Sequence, residues 1–252
     1  MARLQDKVAL ITGGGGSIGA ATARLFAEEG ARVVVADLDE EGLASVTDDI
    51  GAERAAYVVT DVTDSDQVRE TVRIAVERFG GLDIAFANAG IFGEHTPIVD
   101  YPEDVFDAVM AVNIKGSFLV AKHALAVMRD GGSLIFNSSV VGLFADAGIA
   151  AYATSKHAIV GLMRTAAREV AERGIRVNSL HPGPVDNGFQ HSIEVRATGA
   201  PEARAAELFE ERIPLGRHAA PREIAYSALF LASDESAFVT ATTMTVDGGV
   251  KG

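Results

Sequence analysis

The stretch VALITGGGGSIGAATARLFAEEGARVVVAD, residues 8–37, decides the fold. It begins with an apolar run, continues through a glycine-rich turn from Thr12 to Gly19, and shows helical periodicity up to Gly30. A second apolar run then ends at Asp37. Glycine in an ordered position costs backbone entropy, so five glycines in the eight residues of the turn indicate that something approaches the backbone closely.

The rest of the chain repeats this alternation of short apolar runs and helical segments. The predicted strands cover residues 8–12, 31–37, 55–62, 82–90, 133–139, 175–183 and 242–249. The predicted helices cover residues 17–29, 43–50, 66–79, 102–129, 152–173, 202–212 and 221–232. Strands that are apolar throughout are typical of a parallel sheet covered by helices. The sequence therefore predicts an α/β fold, a single-domain Rossmann-like doubly wound parallel sheet of about seven strands with helices on both faces.

Composition restricts the classes of function. The 252 residues include 35 acidic and 22 basic ones, a formal net charge of −13, which argues against nucleic acid or an anionic membrane as a partner. There is no cysteine, and the histidines show no metal-ligand spacing, so we expect neither thiolate chemistry nor a catalytic metal. No signal segment or apolar run of transmembrane length is found, and we expect a cytoplasmic protein.

The glycine-rich turn lies between a strand and a helix. The first N–H groups of a helix are unpaired, so such a turn binds phosphate, although an ordinary glycine-rich turn is the alternative. Asp37, which ends the next strand 18 residues after Gly19, favours a dinucleotide. A carboxylate there accepts hydrogen bonds from a ribose hydroxyl and repels a 2′-phosphate. Because Leu38 rather than a basic residue follows, the sequence predicts NAD over NADP.

Candidate acid/base residues occur in YATSK, where Tyr152 and Lys156 share one face of a helix. Taken alone, this spacing more often marks a solvated pair. A nearby ammonium lowers the pKa of a phenol, which suits the proton transfer that accompanies hydride transfer. Ser139 ends a buried strand and offers a hydroxyl, and Asn113 lies in a helical stretch where asparagine is unfavourable.

These motifs resemble the short-chain dehydrogenase/reductase family over residues 7–249. Thr12, Gly13 and Gly19 match its Thr-Gly-x-x-x-Gly-x-Gly pattern, while Ser17 stands at the position usually held by the middle glycine. A second match is the Asn-Ala-Gly motif at residues 88–90, where the family usually has one more asparagine in place of the preceding alanine.

The resemblance implies a role for each candidate catalytic residue. Tyr152 would be the general acid/base, and Lys156 would bind the nicotinamide ribose and lower the pKa of Tyr152. Ser139 would orient the substrate oxygen, and Asn113 would hold a water of the proton relay.

The resemblance also implies the cofactor contacts. Asp61 and Val62 would contact the adenine, and the backbone of Val185 would meet the carboxamide. Asn187 stands where the family often has threonine, and its amide is a candidate for the same contact. The full predicted NAD-binding set is Gly13, Gly16, Ser17, Ile18, Gly19, Asp37, Leu38, Asp61, Val62, Asn88, Ala89, Gly90, Tyr152, Lys156, Pro182, Gly183, Val185 and Asn187.

The substrate pocket is expected to be apolar and to favour an apolar or mildly polar secondary alcohol or ketone. Residues 187–214 would form a mobile lid over it. Its predicted lining residues are Ser139, Val141, Ile149, Phe92 and Phe189.

Two other functions and one assembly remain to be considered. A 3-oxoacyl thioester reductase of the same family is one alternative, although Asp37 opposes its usual preference for NADPH. A non-catalytic NAD-binding scaffold is the other, in which the four candidate catalytic residues would be expected to be lost. The resemblance further implies a homotetramer in which the helices starting near Pro102 and Tyr152 pack across subunits and residues 242–249 form another interface.

Overall fold

The structure is a computed structural model that describes residues 2–251. Within this range, seven strands form one parallel sheet in the order β3-β2-β1-β4-β5-β6-β7, which confirms the predicted fold class. The strands are β1 Val8–Thr12, β2 Arg32–Asp37, β3 Ala55–Val59, β4 Ile84–Ala87, β5 Ser133–Asn137, β6 Arg176–Pro182 and β7 Thr243–Val246. The α-helices are α1 Ser17–Glu28, α2 Glu40–Ile50, α3 Ser65–Phe79, α4 Glu103–Val109, α5 Ser117–Val127, α6 Ala150–Glu169, α7 Gly188–Thr198, α8 Glu202–Glu210 and α9 Pro221–Ala232.

The inner strands of the sheet are buried on both faces, as their apolar sequences predict, whereas the edge strand β3 exposes Tyr57 and Val59. Along β1, Ala9 and Ile11 pack beneath α1, α2 and α9, whereas Val8 and Leu10 pack beneath α3, α5 and α6. All four side chains are completely buried. Burying a valine, leucine or isoleucine side chain stabilises the folded state by about 1.5–3 kcal/mol, so β1 is a main anchor of the core.

The strand order reverses beside β1, and this reversal places the site. From β1 the chain continues outward through β2 to β3, and it then returns to add β4 on the other side of β1. The loops that leave β1 and β4 therefore diverge and open a crevice at the carboxyl ends of the strands. The glycine-rich turn follows β1, and residues 88–90 follow β4.

Six of the seven strands are shorter than predicted, and two helical segments differ from expectation in kind. The predicted helix over 102–129 is divided by a π-helical segment, Met110–Gly116, which contains Asn113. Such segments insert into α-helices frequently at functional sites. Helix α7 lies in the predicted lid and was not expected as a helix. Its one fully buried side chain is that of Glu194, so hydrophobic periodicity could not reveal it.

Candidate active site

A cavity of about 790 Å³ occupies the crevice. Its lining includes every site residue predicted from the sequence except Gly19 and Asn113. The predicted residues come from the loops after β1, β2, β3, β4, β5 and β6 and from helices α1, α6 and α7. The fold thus gathers at one place side chains that are far apart in the chain.

The glycine-rich turn is shaped by close backbone contacts. Gly13 has a φ of +65°, and a Cβ there would lie 2.7 Å from the Asn88 Nδ2. A Cβ on Gly19 would lie 2.0 Å from the Gly13 carbonyl oxygen, so Gly19 brings α1 against the turn rather than lining the cavity. The Asn88 Nδ2 also donates to the carbonyl oxygens of Thr12 and Gly13, at 3.0 and 3.1 Å. These bonds hold the turn open towards the cavity.

The start of α1 fits the phosphates of a dinucleotide. Its N-cap residue is Gly16, and no side chain caps the helix. The free N–H groups of the first turn and the absence of Cβ atoms in the preceding turn together make a cradle for an anion. The donor set therefore matches the group that the sequence predicts.

Asp37 lies at the far wall of this cradle. Its Oδ2 accepts a hydrogen bond from the Gly15 N–H at 3.1 Å, and its Oδ1 accepts one from the Leu38 N–H at 2.7 Å. The carboxylate is thus held in place beside the glycine-rich turn, where its charge would repel a phosphate. The neighbouring Leu38 is exposed and carries no charge that would attract one.

Tyr152 and Lys156 lie one turn apart on α6. The Lys156 Nζ is 5.4 Å from the centre of the Tyr152 ring and donates to the Asn137 carbonyl oxygen at 2.9 Å. Lys156 is buried, and this burial lowers its pKa to about 8. Desolvation raises the pKa of Tyr152 to about 12, and the nearby Ser139 hydroxyl opposes this shift only in part.

The Lys156 ammonium donates to the Asn137 carbonyl, and burial of the phenol determines the direction of the Tyr152 pKa shift. The expectation that Lys156 lowers the pKa of Tyr152 stays a prediction. At neutral pH the phenol keeps its proton, so Tyr152 is set to donate it.

Ser139 is positioned by a buried histidine. The His181 Nδ1 lies 2.7 Å from the Ser139 carbonyl oxygen, and its Nε2 lies 2.8 Å from the Ser179 hydroxyl. Burial lowers the pKa of His181 to about 4, so the ring is neutral. A carbonyl only accepts, so Nδ1 donates to Ser139 and Nε2 accepts from Ser179. His181 does not line the cavity, and its place in the structure is that of a support for Ser139.

Asn113 also acts from behind the cavity wall. Its Oδ1 accepts from the Ile91 N–H at 2.8 Å, and its Nδ2 donates to the Ile91 carbonyl and the Ser155 hydroxyl, each at 2.9 Å. The side chain thus ties the loop after β4 to α6. Its predicted part in a proton relay stays a prediction.

The end of the cavity that is predicted to bind the substrate is aromatic. The Tyr152 ring lies between Phe92 and Phe189, with ring centres 5.2 and 6.4 Å away. Val141 and Ile149 line the same region, as predicted. Lining residues that the sequence analysis missed include Asn137, Phe144 and Arg212. Asn137 was detectable as a polar residue in a buried strand two positions before Ser139, whereas nothing local marks the other two.

A buried ionic cluster supports the lid. The His218 Nε2 lies 2.6 Å from a Glu194 carboxylate oxygen, and its Nδ1 lies 3.1 Å from one of Glu210. Burial lowers the pKa of His218, but its bonds to the two carboxylates outweigh this and the pKa is raised. Both ring nitrogens face acceptors, so the ring is best satisfied as an imidazolium. The cluster joins α7 and α8 to the loop before α9.

Several known proteins are similar to this chain in sequence or in structure. A family model described as enoyl-(acyl carrier protein) reductase matches residues 14–251. A 3-oxoacyl-[acyl-carrier-protein] reductase of Thermotoga maritima is 40% identical over 98% of this chain and 99% of its own length. Short-chain dehydrogenase reductase 5 of Arabidopsis thaliana is 37% identical over 98% of this chain and 95% of its own. The crystal structure of levodione reductase superimposes with a TM-score of 0.94 at 36% identity, covering 98% of both chains.

Two further findings concern residues 2–251. No helix in that range is long and apolar enough to cross a membrane. No group of three or more histidine, aspartate or glutamate side chains there is placed to hold a metal ion.

The fold, the site and the relatives lead to one identification: the chain belongs to the short-chain dehydrogenase/reductase family.

Proposed function

We propose that this protein is an NAD-dependent oxidoreductase that interconverts a secondary alcohol and a ketone by hydride transfer. The observation that carries the proposal is the meeting of Ser139, Tyr152 and Lys156 in the wall of one cavity. One end of that cavity has an anion cradle beside Asp37, and the other end is lined by aromatic rings. A non-catalytic scaffold would have no need of this constellation.

The chain's own residues would handle the oxygen and its proton. A bound nicotinamide supplies or accepts the hydride. In ketone reduction the Tyr152 hydroxyl donates its proton to the carbonyl oxygen, while the Ser139 hydroxyl holds that oxygen by a second hydrogen bond. In alcohol oxidation the proton returns to Tyr152. Because the pKa of Tyr152 is about 12, reduction is favoured at neutral pH and oxidation rises towards alkaline pH.

Asp37 supports NAD as the cofactor, and a double substitution tests this. Asp37→Ala with Leu38→Arg removes a carboxylate that repels a 2′-phosphate and adds a cation that attracts one. The NADPH/NADH affinity ratio should rise by about tenfold or more, since a hydrogen bond to a charged group contributes about 1.5–3 kcal/mol. Glu41→Arg, at an exposed acid nearby, changes the net charge by the same two units and is the control for net charge. An unchanged ratio would mean that Asp37 does not meet the ribose.

We propose a compact apolar ketone, or the matching alcohol, as substrate. Phe92 and Phe189 flank Tyr152, and such rings offer little to a charged substrate. The names of the levodione reductase and of the oxoacyl reductase both denote carbonyl reduction, which supports the same reaction type. A 3-oxoacyl thioester reductase is the second candidate because of the Thermotoga maritima relative.

An absorbance screen at 340 nm decides among these readings. NADH or NADPH is paired with aliphatic, cyclic and aryl ketones and 3-oxoacyl thioesters at neutral pH, and NAD⁺ or NADP⁺ with the matching alcohols at alkaline pH. Turnover of an apolar ketone with NADH is the expected result. Turnover confined to thioesters with NADPH would favour the second candidate. No turnover alongside tight NADH binding would favour a scaffold.

We also propose a homotetramer. Phe118 and Val127 on α5 expose much of their side chains, and Phe238 before β7 is fully exposed. These apolar side chains lie on or next to the elements for which the sequence predicts subunit contacts. Light scattering after size exclusion should give four times the chain mass, and a monomer would contradict the assembly.

A further inference from the structure

We propose that Ser17 and Asn187 form a clasp that fastens helix α7 of the lid to the dinucleotide-binding turn and couples cofactor binding to lid position. The Asn187 Nδ2 lies 2.9 Å from the Ser17 Oγ, although the two residues are 170 positions apart. Both line the cavity. The fold thus brings the turn after β1 and the segment after β6 into one contact. The inference rests on the proposed dinucleotide site.

The orientation of the Asn187 amide is determined by the helix that it begins. Asn187 is the N-cap of α7, and its Oδ1 accepts a hydrogen bond from the Gln190 N–H at 2.8 Å. A backbone N–H only donates, so the amide oxygen must face it. The Nδ2 therefore faces Ser17 and donates to its hydroxyl oxygen. One side chain both caps the lid helix and holds the start of α1.

Ser17 retains a proton for a ligand. Its oxygen accepts from Asn187, and within residues 2–251 its hydroxyl makes no other hydrogen bond. Ser17 is the first residue of α1, whose N-terminus has no side-chain cap. The free O–H adds one donor to the N–H groups that favour an anion there. Accepting a hydrogen bond from Asn187 polarises this O–H and strengthens its own donation.

The clasp is a side-chain hydrogen bond that joins the glycine-rich turn to the start of α7. The rest of the helix is held elsewhere: the Arg196 Nη1 donates to the Gly93 carbonyl at 2.8 Å, and Glu194 bonds His218. A ligand that orders Ser17 therefore orders Asn187 and the first turn of α7. By thermodynamic reciprocity, a lid held in this position favours binding of the ligand.

The test uses the full chain and three variants, Ser17→Ala, Asn187→Ser and the double substitution. Serine is as good an N-cap as asparagine, so Asn187→Ser keeps α7 capped while it removes the amide donor to Ser17. Because the same amide is a candidate contact to the nicotinamide carboxamide, the loss of affinity for ADP, which has no carboxamide, reports on the clasp. Ser192→Ala is the matched control, because the Ser192 hydroxyl donates to the Phe189 carbonyl within α7 itself. Binding of NADH and of ADP, which carries the phosphates without the nicotinamide, is measured by fluorescence and calorimetry. Hydrogen exchange of the α7 amides is measured without ligand.

Each single variant should weaken NADH and ADP by about threefold to tenfold, the effect of one hydrogen bond. The double variant should bind NADH and ADP as tightly as whichever single variant has the lower affinity, because both substitutions remove the same contact. Exchange in the first turn of α7 should be faster in all three, and Ser192→Ala should match the wild type in both readouts.

Additive losses of affinity in the double variant, or unchanged hydrogen exchange of the α7 amides, would overturn the clasp. In either case the proposed function would stand as long as the wild type binds NADH. Faster exchange with unchanged NADH and ADP affinity would overturn the coupling. Failure of the wild type to bind either NADH or NADPH would overturn the proposed function and the coupling together, a result distinct from failure of the clasp alone.

Discussion

The two ends of the cavity are built in opposite ways. At the cofactor end the wall is mainly backbone: glycines of the turn after β1 and the free N–H groups that start α1. At the substrate end the wall is made of side chains, such as Phe92, Ile149 and Phe189, which come from three different elements. Backbone geometry of this kind is encoded in a few adjacent residues. A side-chain wall depends on how distant elements pack.

The largest expected effect separates chemistry from binding. Tyr152→Phe keeps the ring between Phe92 and Phe189 but removes the proton donor, so turnover should fall by about 10²–10⁴-fold, the usual contribution of a general acid/base. Affinity for NADH, measured by fluorescence, should stay within about twofold, since hydrogen bonding by the phenol is one contact among many. Tyr226→Phe, which removes an exposed phenol on α9, is the control. Substantial residual turnover would place the proton donor elsewhere.

Next comes a pair of glycines, one behind the glycine-rich turn and one at the start of the lid helix α7. Gly19→Ala places a Cβ 2.0 Å from the Gly13 carbonyl oxygen, so the turn must shift. We expect a loss of about 1–3 kcal/mol in the free energy of unfolding, as for other overpacked sites, together with loss of NADH binding. Gly188 is the first residue of α7, and a Cβ there would meet no atom within 4 Å. Gly188→Ala should therefore raise the free energy of unfolding by up to about 1 kcal/mol. Urea unfolding measures the free energy of unfolding of both variants. Equal changes in the two would contradict the difference in packing between the glycine-rich turn and the start of α7.

The stability of the lid should also depend on pH through His218. Its pKa is raised above the ordinary 6.5, so the stability that it adds is fully present below that pH and is lost as pH rises through the raised value. His218→Gln leaves Glu194 buried without a cation and should cost about 1–3 kcal/mol at pH 6. The variant should lose less stability than the wild type on going to pH 9.

The control for this pH effect is His157→Gln, an exposed histidine on α6. His191, whose ring centre is 6.0 Å from that of His218, lies beside the carboxylates of Asp186 and Glu202 and is left unchanged in both proteins. If the free energy of unfolding of the wild type and of His218→Gln changed in parallel with pH, the prediction that protonation of His218 stabilises the fold would be wrong.

The smallest expected effect concerns the wall between the two ends. Lys156 is buried and its pKa is lowered from 10.5 to about 8, so burying its charge costs stability at neutral pH. Lys156→Met removes that cost but also the bond to the Asn137 carbonyl, and a net gain of about 1–2 kcal/mol should accompany loss of turnover. Wild-type stability should rise between pH 8 and 10.5, where the unfolded chain binds more protons, and the variant should lack this rise. If Lys156→Met were less stable than the wild type at pH 7, burial of the Lys156 charge would not be destabilising as predicted.

Most of the cofactor end was predictable from sequence. The strands β1 and β2 and helix α1 end within one residue of their predicted bounds, because apolar periodicity, Gly30 and Asp37 are local signals. The spacing of Tyr152 and Lys156 predicted that they share a helix face, and the family resemblance then made them candidate catalytic residues. The π-helical segment around Asn113 was not predictable, since it depends on bonds to Ile91 and Ser155 that only folding brings into reach.

By itself, the sequence determined the doubly wound sheet, the glycine-rich turn and the candidate catalytic residues, because short-range patterns of burial and backbone freedom specify them. Tertiary structure alone decided three other properties: that Lys156 bonds the Asn137 carbonyl instead of the phenol, that His218 lies between two carboxylates, and that Ser17 meets Asn187. Each depends on the distance between groups far apart in the chain. Hydrogen bonds and desolvation act over only a few ångströms, so their sign and partners exist only once those distances are set.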